Sequence, residues 1–570
     1  MIFEENIIIK KPMKVSVRVA SVYPNLYKAS GSSLGYQIIY KLINEREDFW
    51  CERVVYPNTR SIESNSPLRD FDIISFSLQY EQDYFNMLEI LKKADIPIKR
   101  EERIEADNLN NNKILRNKSK INKNKIRKSK YPLIIAGGPC ATSNPLPISD
   151  FIDIFIIGEA EEVLDNFLDK YKKLKNPYKD IDSFSSIKGV YIPSINNKAS
   201  KLIVENMENA FHITKPIVVK TQTKEDEEFL PVFGNSILLN VSRGCTRGCR
   251  FCMSGYLYRP TRETPLKKLF TIAEEARENT GLNKVSLIGA AVSDYSKIDE
   301  LTIGLLNRGF QISTPSLRVE SITKETLKSL KKSGSKTITI APESIYSLRK
   351  SINKDITDEK IFEVVENIIK FGLNVKLYFL IGLANETKED IEELANYIKK
   401  IDSLKLKYSN KTDSTIKANN SNKLNNYIKT NPSIKFSVNP LIPKPHTPMQ
   451  WEGYDLKNIK SQIKYLKSKL KGIDIKFDSA KMGLIQYVLS CKGKEVGKLL
   501  EKSLENKVSI KEWKKYSDGY ELNDKLPWEN IDIGLNPEFL KKEREKMFNE
   551  KLTPWCEREP CYNCGSCDKI

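Results

Sequence analysis

Histidine is nearly missing: the 570 residues hold two, His212 and His446. Neither stands at ligand spacing from the chain's cysteine groups, which excludes a zinc site completed by imidazole. His212, alone beside Phe211, reads as a packed or exposed side chain. Long apolar runs are absent too. No stretch approaches the roughly 20 residues that cross a bilayer, which excludes a helical span. At the start of the chain Glu4 and Glu5 come first, then Ile7, Ile8 and Ile9, then Lys10 and Lys11, the wrong order for a secretory signal. The expectation is a cytoplasmic protein without a membrane partner. An aromatic-bearing RNP motif is likewise lacking, so no dedicated RNA module is marked.

Charge is there in quantity, with a formal net value of +19, which invites a nucleic-acid partner. Much of it lies in two Asn/Lys-rich runs, at about residues 98–130 and 408–431, that have low complexity and no apolar period. Both read as solvated insertions, so the basic balance says little about RNA.

Ten cysteines are present, and seven of them fall in two tight groups at metal-ligand spacing. In Val241-Ser242-Arg243-Gly244-Cys245-Thr246-Arg247-Gly248-Cys249-Arg250-Phe251-Cys252 the thiols are separated by three and then two residues. Three thiolates can hold three irons of a cubane and leave the fourth open to a small molecule. The tail carries Cys556, Cys561, Cys564 and Cys567, spaced by four, two and two residues. That spacing suits a second iron–sulfur cluster in a ferredoxin-type loop, and four thiolates also suit zinc. Cys491 stands alone and reads as structural.

A chain this long exceeds one core. Strand-like runs at residues 15–22, 71–76, 133–136 and 154–157 alternate with helical ones at 35–44, 83–93 and 161–172, which predicts a doubly wound parallel sheet over residues 14–170. Gly137 and Gly138 stand at its ligand edge, in Ala136-Gly137-Gly138-Pro139. They suit either a bound ligand or a tight turn. Residues 171–235 read as a linking segment with short strand-like pieces, Gly189 to Ile192 and Ile217 to Val219. Six strand–helix units over 236–450, with strands at 236–241, 284–288, 311–319, 336–340, 375–379 and 434–438, predict a partial TIM-like (β/α)6 barrel of α/β class. Thr264-Pro265 and Thr387 to Asp390 open two of its helices, and Gly281 closes the first. Polar strand ends, among them Gly289 to Tyr295, Ser316 to Ser321 and Ala341-Pro342-Glu343-Ser344, predict a lined site at the carboxyl rim. A helical region (451–535) and a helix with the Cys-rich tail (536–570) complete the chain.

The cysteine loop, with Phe251 before its last thiol, resembles the radical S-adenosylmethionine (SAM) enzymes. The N-terminal part is similar to cobalamin-binding domains fused to many of them, in Ala136-Gly137-Gly138-Pro139 and Ile157-Gly158-Glu159-Ala160-Glu161. The whole resembles radical SAM proteins related to the methylthiotransferases, from about Val17 to Cys567. By that resemblance Cys245, Cys249 and Cys252 hold a 4Fe-4S cluster whose fourth iron chelates SAM, and Phe251 packs SAM. Gly289 takes the place of the SAM amino-group loop, although the usual Gly-Gly-Glu is missing, while Ser316, Arg318 and Glu320 face the SAM carboxylate and ribose. Gly137 and Gly138 would approach cobalamin, but the Asp-x-His-x-x-Gly motif for a lower cobalt ligand is absent. The implied setting is anaerobic cytoplasm, with a low-potential electron donor of flavodoxin or ferredoxin type. The implied reaction is methyl or methylthio transfer to an RNA or protein substrate. A cobalamin-independent redox or rearrangement reaction and an iron–sulfur carrier are the alternatives.

Overall fold

The computed structural model describes residues 3–116, 129–409, 432–556, 561 and 563–567. Strand β1 (Phe3–Glu5) precedes a six-stranded sheet built from β2 (Val17–Tyr23), β3 (Phe49–Val55), β4 (Ile73–Ser77), β5 (Leu133–Gly137), β6 (Ile154–Ile156) and β7 (Val190–Tyr191). Its order is β3-β2-β4-β5-β6-β7. All pairings are parallel except that of β7 with β6. The central strands are buried along their length, as continuous apolar runs such as Ile73-Ile74 and Leu133-Ile134-Ile135 require. The doubly wound expectation holds, with two edge strands, β3 and β7, beyond the four that the sequence pattern marks in this region. β3 carries Glu52 and Arg53 amid its apolar residues, and both are paired inside: Glu52 takes Arg18, and Arg53 takes Glu4 and Glu63 at 2.6 Å each.

The segment over 171–235 does more than link. It supplies β7, then β8 (Ala199–Ser200), and then β9 (Val218–Lys220), which pairs antiparallel with β1. The insertion expected at 98–130 also needs correction. A helix runs over Arg100–Arg116, and Arg103 in it is fully buried, bonding to Asp153 at 2.9 Å and to the carbonyls of Pro97, Ile98 and Phe151. One arginine, rather than an apolar stripe, anchors this helix. Residues 117–128, and 410–431 of the second insertion, lie outside the described residues; the helix Lys388–Ser409 leads up to the latter.

The second half begins at β10 (Ile237–Asn240), followed by the short β11 (Ser242–Arg243) and β12 (Arg262–Glu263), which pair antiparallel. β10, β13 (Lys284–Ile288) and β14 (Gln311–Ser313) form one parallel sheet. β15 (Thr337–Glu343), β16 (Asn374–Ile381), β17 (Ile434–Pro440) and β18 (Ile475–Phe477) form a second. A parallel bridge from Leu317 to Ile340 joins the two into an open arc. The third expected strand, 311–319, is therefore shorter: β14 ends at Ser313, and Pro315, with no amide hydrogen, cannot extend the ladder. β18 adds a strand to the arc from a region expected to be helical. β19 (Ile531–Asp532) pairs with β8 and ties the C-terminal part to the middle of the chain.

The helix Leu266–Thr280 stops at Gly281, whose φ of 72° is the left-handed C-terminal cap. Its N-cap is Pro265 rather than Thr264, whose hydroxyl instead donates to the Asn240 carbonyl at 2.7 Å. Thr387 and Asp390 bond reciprocally at the head of their helix, as expected. One apolar core runs from Val22 and Leu78 through Ile237 and Val375 to Leu484 and Met547, crossing every boundary drawn from sequence. A second lies on the other face of the N-terminal sheet.

Candidate active site

The loop that carries three cysteines leaves the carboxyl end of β10 and is pinched at its base by the β11–β12 ribbon. Gly244 sits at the pinch with φ +85°, and a Cβ there would lie 2.6 Å from the Pro260 carbonyl, so only glycine allows this crossing. Four arginines in and beside the loop then lock it through ion pairs. Arg243 reaches Glu159 and Glu161 at 2.7 Å each, and Arg262 reaches Glu159 at 2.8 Å. Arg247 grips Asp294 with two bonds of 2.7 Å. Arg250, fully buried, holds Glu543 and the carbonyls of Ser351 and Lys551. Pattern reading left these arginines without roles. The available signal was their density in so short a stretch, since buried guanidinium groups require carboxylate or carbonyl partners.

Cys249 is buried, and Cys245 and Cys252 are half-buried. The Cys252 thiol is pushed up to about 12, first by burial and then by Cys249 and Cys245 beside it. Burial likewise raises Cys245. The three thiols thus share one electrostatic site, where charge on one opposes charge on the next, and a cationic centre would relieve that.

Of the residues expected around them, Arg318 and Glu320 are brought to the site. Arg318 approaches the Cys249 sulfur at 3.6 Å, donates to Glu320 at 2.8 Å and lies 3.7 Å from Asp294. Its Nε and the Glu320 Oε2 are buried without hydrogen-bond partners. An unsatisfied donor and acceptor beside a cysteine fit a ligand that carries both a carboxylate and hydroxyls. Ser316, by contrast, is exposed and lies outside the cavities next to the loop. A strand irregularity shapes one of the polar strand ends marked in the sequence: β15 bulges between Ile340 and Glu343, leaving Glu343 buried at φ +74° and paired to Lys354 at 3.0 Å. A bulge that re-aims a carboxylate at a strand end is a common device beside active sites.

Two cavities adjoin the loop. One, of about 720 Å³, is lined by Phe251, Cys252, Leu380, Asn439 and Glu81 among others. The other, of about 440 Å³, lies between the carboxyl edge of the N-terminal sheet and the barrel, and Gly137, Gly138 and Gly289 line it. Gln79 and Ser254 border both. Gly138 is explained by the turn, because at φ +104° a Cβ would meet the Leu78 carbonyl at 2.6 Å. Gly137 has ordinary room there. Gly289 packs against the loop base, where a Cβ would lie 3.1 Å from the Ser242 hydroxyl. Ser77, buried with an unpartnered hydroxyl, also faces the smaller cavity, and no histidine is among its lining residues.

His212 is half-buried against the Met207 carbonyl, and His446 is buried against that of Ser143. Cys491 is buried and donates to the Pro443 carbonyl at 3.2 Å, as a structural thiol should. The tail returns to the cysteine loop. Trp555 stacks on Arg247, and the Cys556 amide donates to the Thr246 carbonyl at 2.9 Å. Cys564 is buried, while Cys561 and Cys567 are exposed. Against the cost of burial, the Ser566 amide and the Arg259 guanidinium hold the Cys564 thiol below its ordinary value. Among the described residues no three His, Cys, Asp or Glu side chains converge as a single-ion site, and no helix is long and apolar enough to cross a membrane.

Comparison with known proteins adds the following. Residues 35–193 match the family described as radical SAM proteins, N-terminal, and residues 239–398 match the radical SAM superfamily. The uncharacterized protein MJ0966 of Methanocaldococcus jannaschii is 31% identical, over 91% of this chain and 99% of its own length. The uncharacterized methyltransferase PH0819 of Pyrococcus horikoshii is 23% identical over 47% of this chain and 58% of its own. Among solved structures, the radical SAM methyltransferase TsrM of Kitasatospora setae, with tryptophan and a SAM analogue bound, superposes with a TM-score of 0.46 at 12% identity, covering 68% of this chain and 72% of that one.

Proposed function

Because the chain belongs to the radical SAM superfamily and carries its N-terminal companion domain, we propose that it is the enzyme of a SAM-dependent methyl or methylthio transfer, with the three-cysteine loop as its reaction centre. Cys245, Cys249 and Cys252 hold the 4Fe-4S cluster. When bound, that cluster supplies the electron that cleaves SAM to methionine and a 5'-deoxyadenosyl radical. The chain's own part is to position and shield. Arg318, whose Nε makes no hydrogen bond but lies 3.7 Å from Asp294, would take the SAM carboxylate, and Glu320, whose Oε2 has no hydrogen-bond partner, would take a ribose hydroxyl. Phe251, which lines the larger cavity together with Cys252, would pack against SAM. Arg243, Arg247 and Arg250 hold the loop rigid, so that ligand positions do not depend on flexible backbone.

The observation that carries the transfer reading is the pair of cavities that meet at Gln79 and Ser254 beside the loop. One chamber suits the acceptor and the other a group carrier. The acceptor chamber of about 720 Å³ is lined by two carboxylates, Glu81 and Asp478, against one ammonium, Lys444. That balance disfavours a phosphate-rich RNA and favours a neutral or cationic acceptor, such as a peptide side chain. In the smaller cavity Ser77 and the backbone at Gly137 would bond part of a cobalamin, with no histidine to reach its cobalt. Its volume, about 440 Å³, lies toward the lower end for drug-sized ligands. This favours a second reading, a cobalamin-independent radical redox or rearrangement reaction in which the N-terminal domain binds substrate alone. A low-potential flavodoxin- or ferredoxin-type carrier serves as electron donor in either case.

Anaerobically reconstituted protein given SAM and dithionite is expected to release 5'-deoxyadenosine, and Cys249→Ala to abolish the release. Absence of SAM cleavage in the cluster-loaded protein overturns the proposal. Cobalt content narrows the reading: protein that never retains cobalamin when supplied with it removes cobalamin-dependent methyl transfer.

A further inference from the structure

The tail cysteines are not used by the reaction centre described above, yet the chain brings the first of them, Cys556, against its loop. Three separate contacts dock the segment before and around Cys556 on the cysteine loop. The Lys551 carbonyl accepts from Arg250 at 2.6 Å, the Thr553 amide donates to Asn353 at 2.8 Å, and the Cys556 amide donates to Thr246, between the first two loop cysteines, at 2.9 Å. Asn353 in turn donates to the carbonyls of Arg247 and Gly248. Farther on, the Asn536 amide donates to the Cys564 carbonyl at 2.8 Å, and Gly565, at φ +88°, makes a turn tight enough that a Cβ would press on the backbone of Gly534 and Asn536 at 3.2 Å. The tail's ends are thereby fixed, one on the loop and one on the helix Pro537–Phe548.

The chemistry of this segment narrows what it does. Twelve residues, Cys556 to Cys567, carry four thiols spaced by four, two and two residues. Two of these thiols, Cys561 and Cys567, are exposed. Spacings of two residues let neighbouring thiolates grip one inorganic group, and the glycine between the last two permits the chain to wrap it. We propose that Cys556, Cys561, Cys564 and Cys567 ligate a second iron–sulfur cluster, seated against the Thr246–Arg247 stretch of the first cluster's loop. The acceptor chamber is lined by a different stretch of that loop, Phe251 to Ser254, so the tail centre leaves the substrate side open. The inference is separate from SAM cleavage, which needs only the loop cysteines.

The test uses the full chain. Wild type, Cys561→Ser/Cys567→Ser and Cys245→Ser/Cys249→Ser are each reconstituted anaerobically with iron and sulfide, and iron, zinc and sulfide are measured per chain. The two tail cysteines are exposed, so their substitution spares the fold. About eight irons in the wild type and about four in each double variant are expected, one cubane lost at a time. Native-state mass spectrometry of the tail variant should show the loss of one cluster mass. Four irons in the wild type together with one zinc, the zinc vanishing only in the tail variant, overturn the iron assignment. An iron count indifferent to the tail substitutions, with no zinc, overturns the site itself. An iron count indifferent to the loop substitutions counts against the transfer reading and leaves this one standing.

Discussion

Single side chains set much of this molecule's acid sensitivity, and His446 is the clearest case. Burial pushes its imidazole down to about 4, with the Ser143 carbonyl pulling the other way, Lys201 adding to the depression and Asp532 opposing it. In the unfolded chain the same group titrates near 6.5. Between those values the unfolded state binds a proton that the folded state refuses, so stability present above pH 6.5 is lost as pH falls toward 4. His446 also sits at φ 58°, a left-handed position that asparagine tolerates. His446→Asn should cost about 1–3 kcal/mol at pH 7, because the Ser143 carbonyl loses its partner. Its stability should then fall less than the wild type's between pH 6.5 and 4.5. Denaturation midpoints across that range decide it, and equal slopes for the two proteins would refute the assignment. At this scale the sequence was informative about thiols and poor about guanidinium groups. Spacing alone makes Cys245, Cys249 and Cys252 a ligand set, whereas the partners of Arg243, Arg247 and Arg250 lie from about 50 to almost 300 residues away (Asp294, Glu159 and Glu543), beyond the reach of any local pattern.

Elements were legible where periodicity and caps agree and illegible where an ion pair replaces apolar residues. The helix Leu266–Thr280 buries Leu269, Ile272, Ala273 and Ala276 on one stripe and ends on a glycine, so pattern reading finds it. β3 hides behind Glu52 and Arg53, and the helix Arg100–Arg116 behind an almost uniformly polar sequence. For that helix the anchor is the Arg103–Asp153 pair, with both side chains fully buried. Asp153 also accepts from the Ile134 amide at 2.7 Å and so fixes β5 beside the helix. Removing one partner of such a pair strands a charge in the interior, which typically costs about 3–5 kcal/mol, whereas replacing both by apolar groups of similar size is often near neutral. Arg103→Met is therefore expected to cost in that range. Because the amide of Ile134 still needs an acceptor, Arg103→Met/Asp153→Asn should recover most but not all of the loss. Urea midpoints with unchanged m-values would measure it. A loss below about 1 kcal/mol for Arg103→Met would mean that the helix is held by something other than the ion pair.

The larger core runs through both halves of the molecule, with a second confined to the other face of the N-terminal sheet, and the sequence boundaries at 170, 235 and 450 do not coincide with gaps in packing. Alternation of strands and helices revealed two α/β halves, but their joint is made by contacts between residues hundreds of positions apart, which periodicity cannot display. Glu81 is the sharpest of these. It follows β4 in the N-terminal sheet, is buried, pairs with Lys444 beyond β17, and accepts from Gln486 on the helix Ala480–Cys491 at 3.0 Å. Although burial opposes it, Lys444 and these bonds hold the carboxyl below the ordinary range. The folded pKa is thus depressed, so the pair's contribution is present above about pH 4.5 and fades as pH falls through the folded value. Three regions of the chain therefore share one buried charge pair at the edge of the acceptor chamber. Glu81→Ala leaves the part-buried Lys444 without its anion and should cost up to about 3–5 kcal/mol. The pattern of the loss is as telling as its size. In the wild type, hydrogen exchange should report nearly the same opening free energy for β2 and β16, since the core is continuous. In Glu81→Ala the N-terminal sheet and the barrel should separate, with protection falling more in one than in the other. If both fall equally, the joint rests on apolar packing alone, and the Glu81–Lys444 pair is a local feature of the chamber wall.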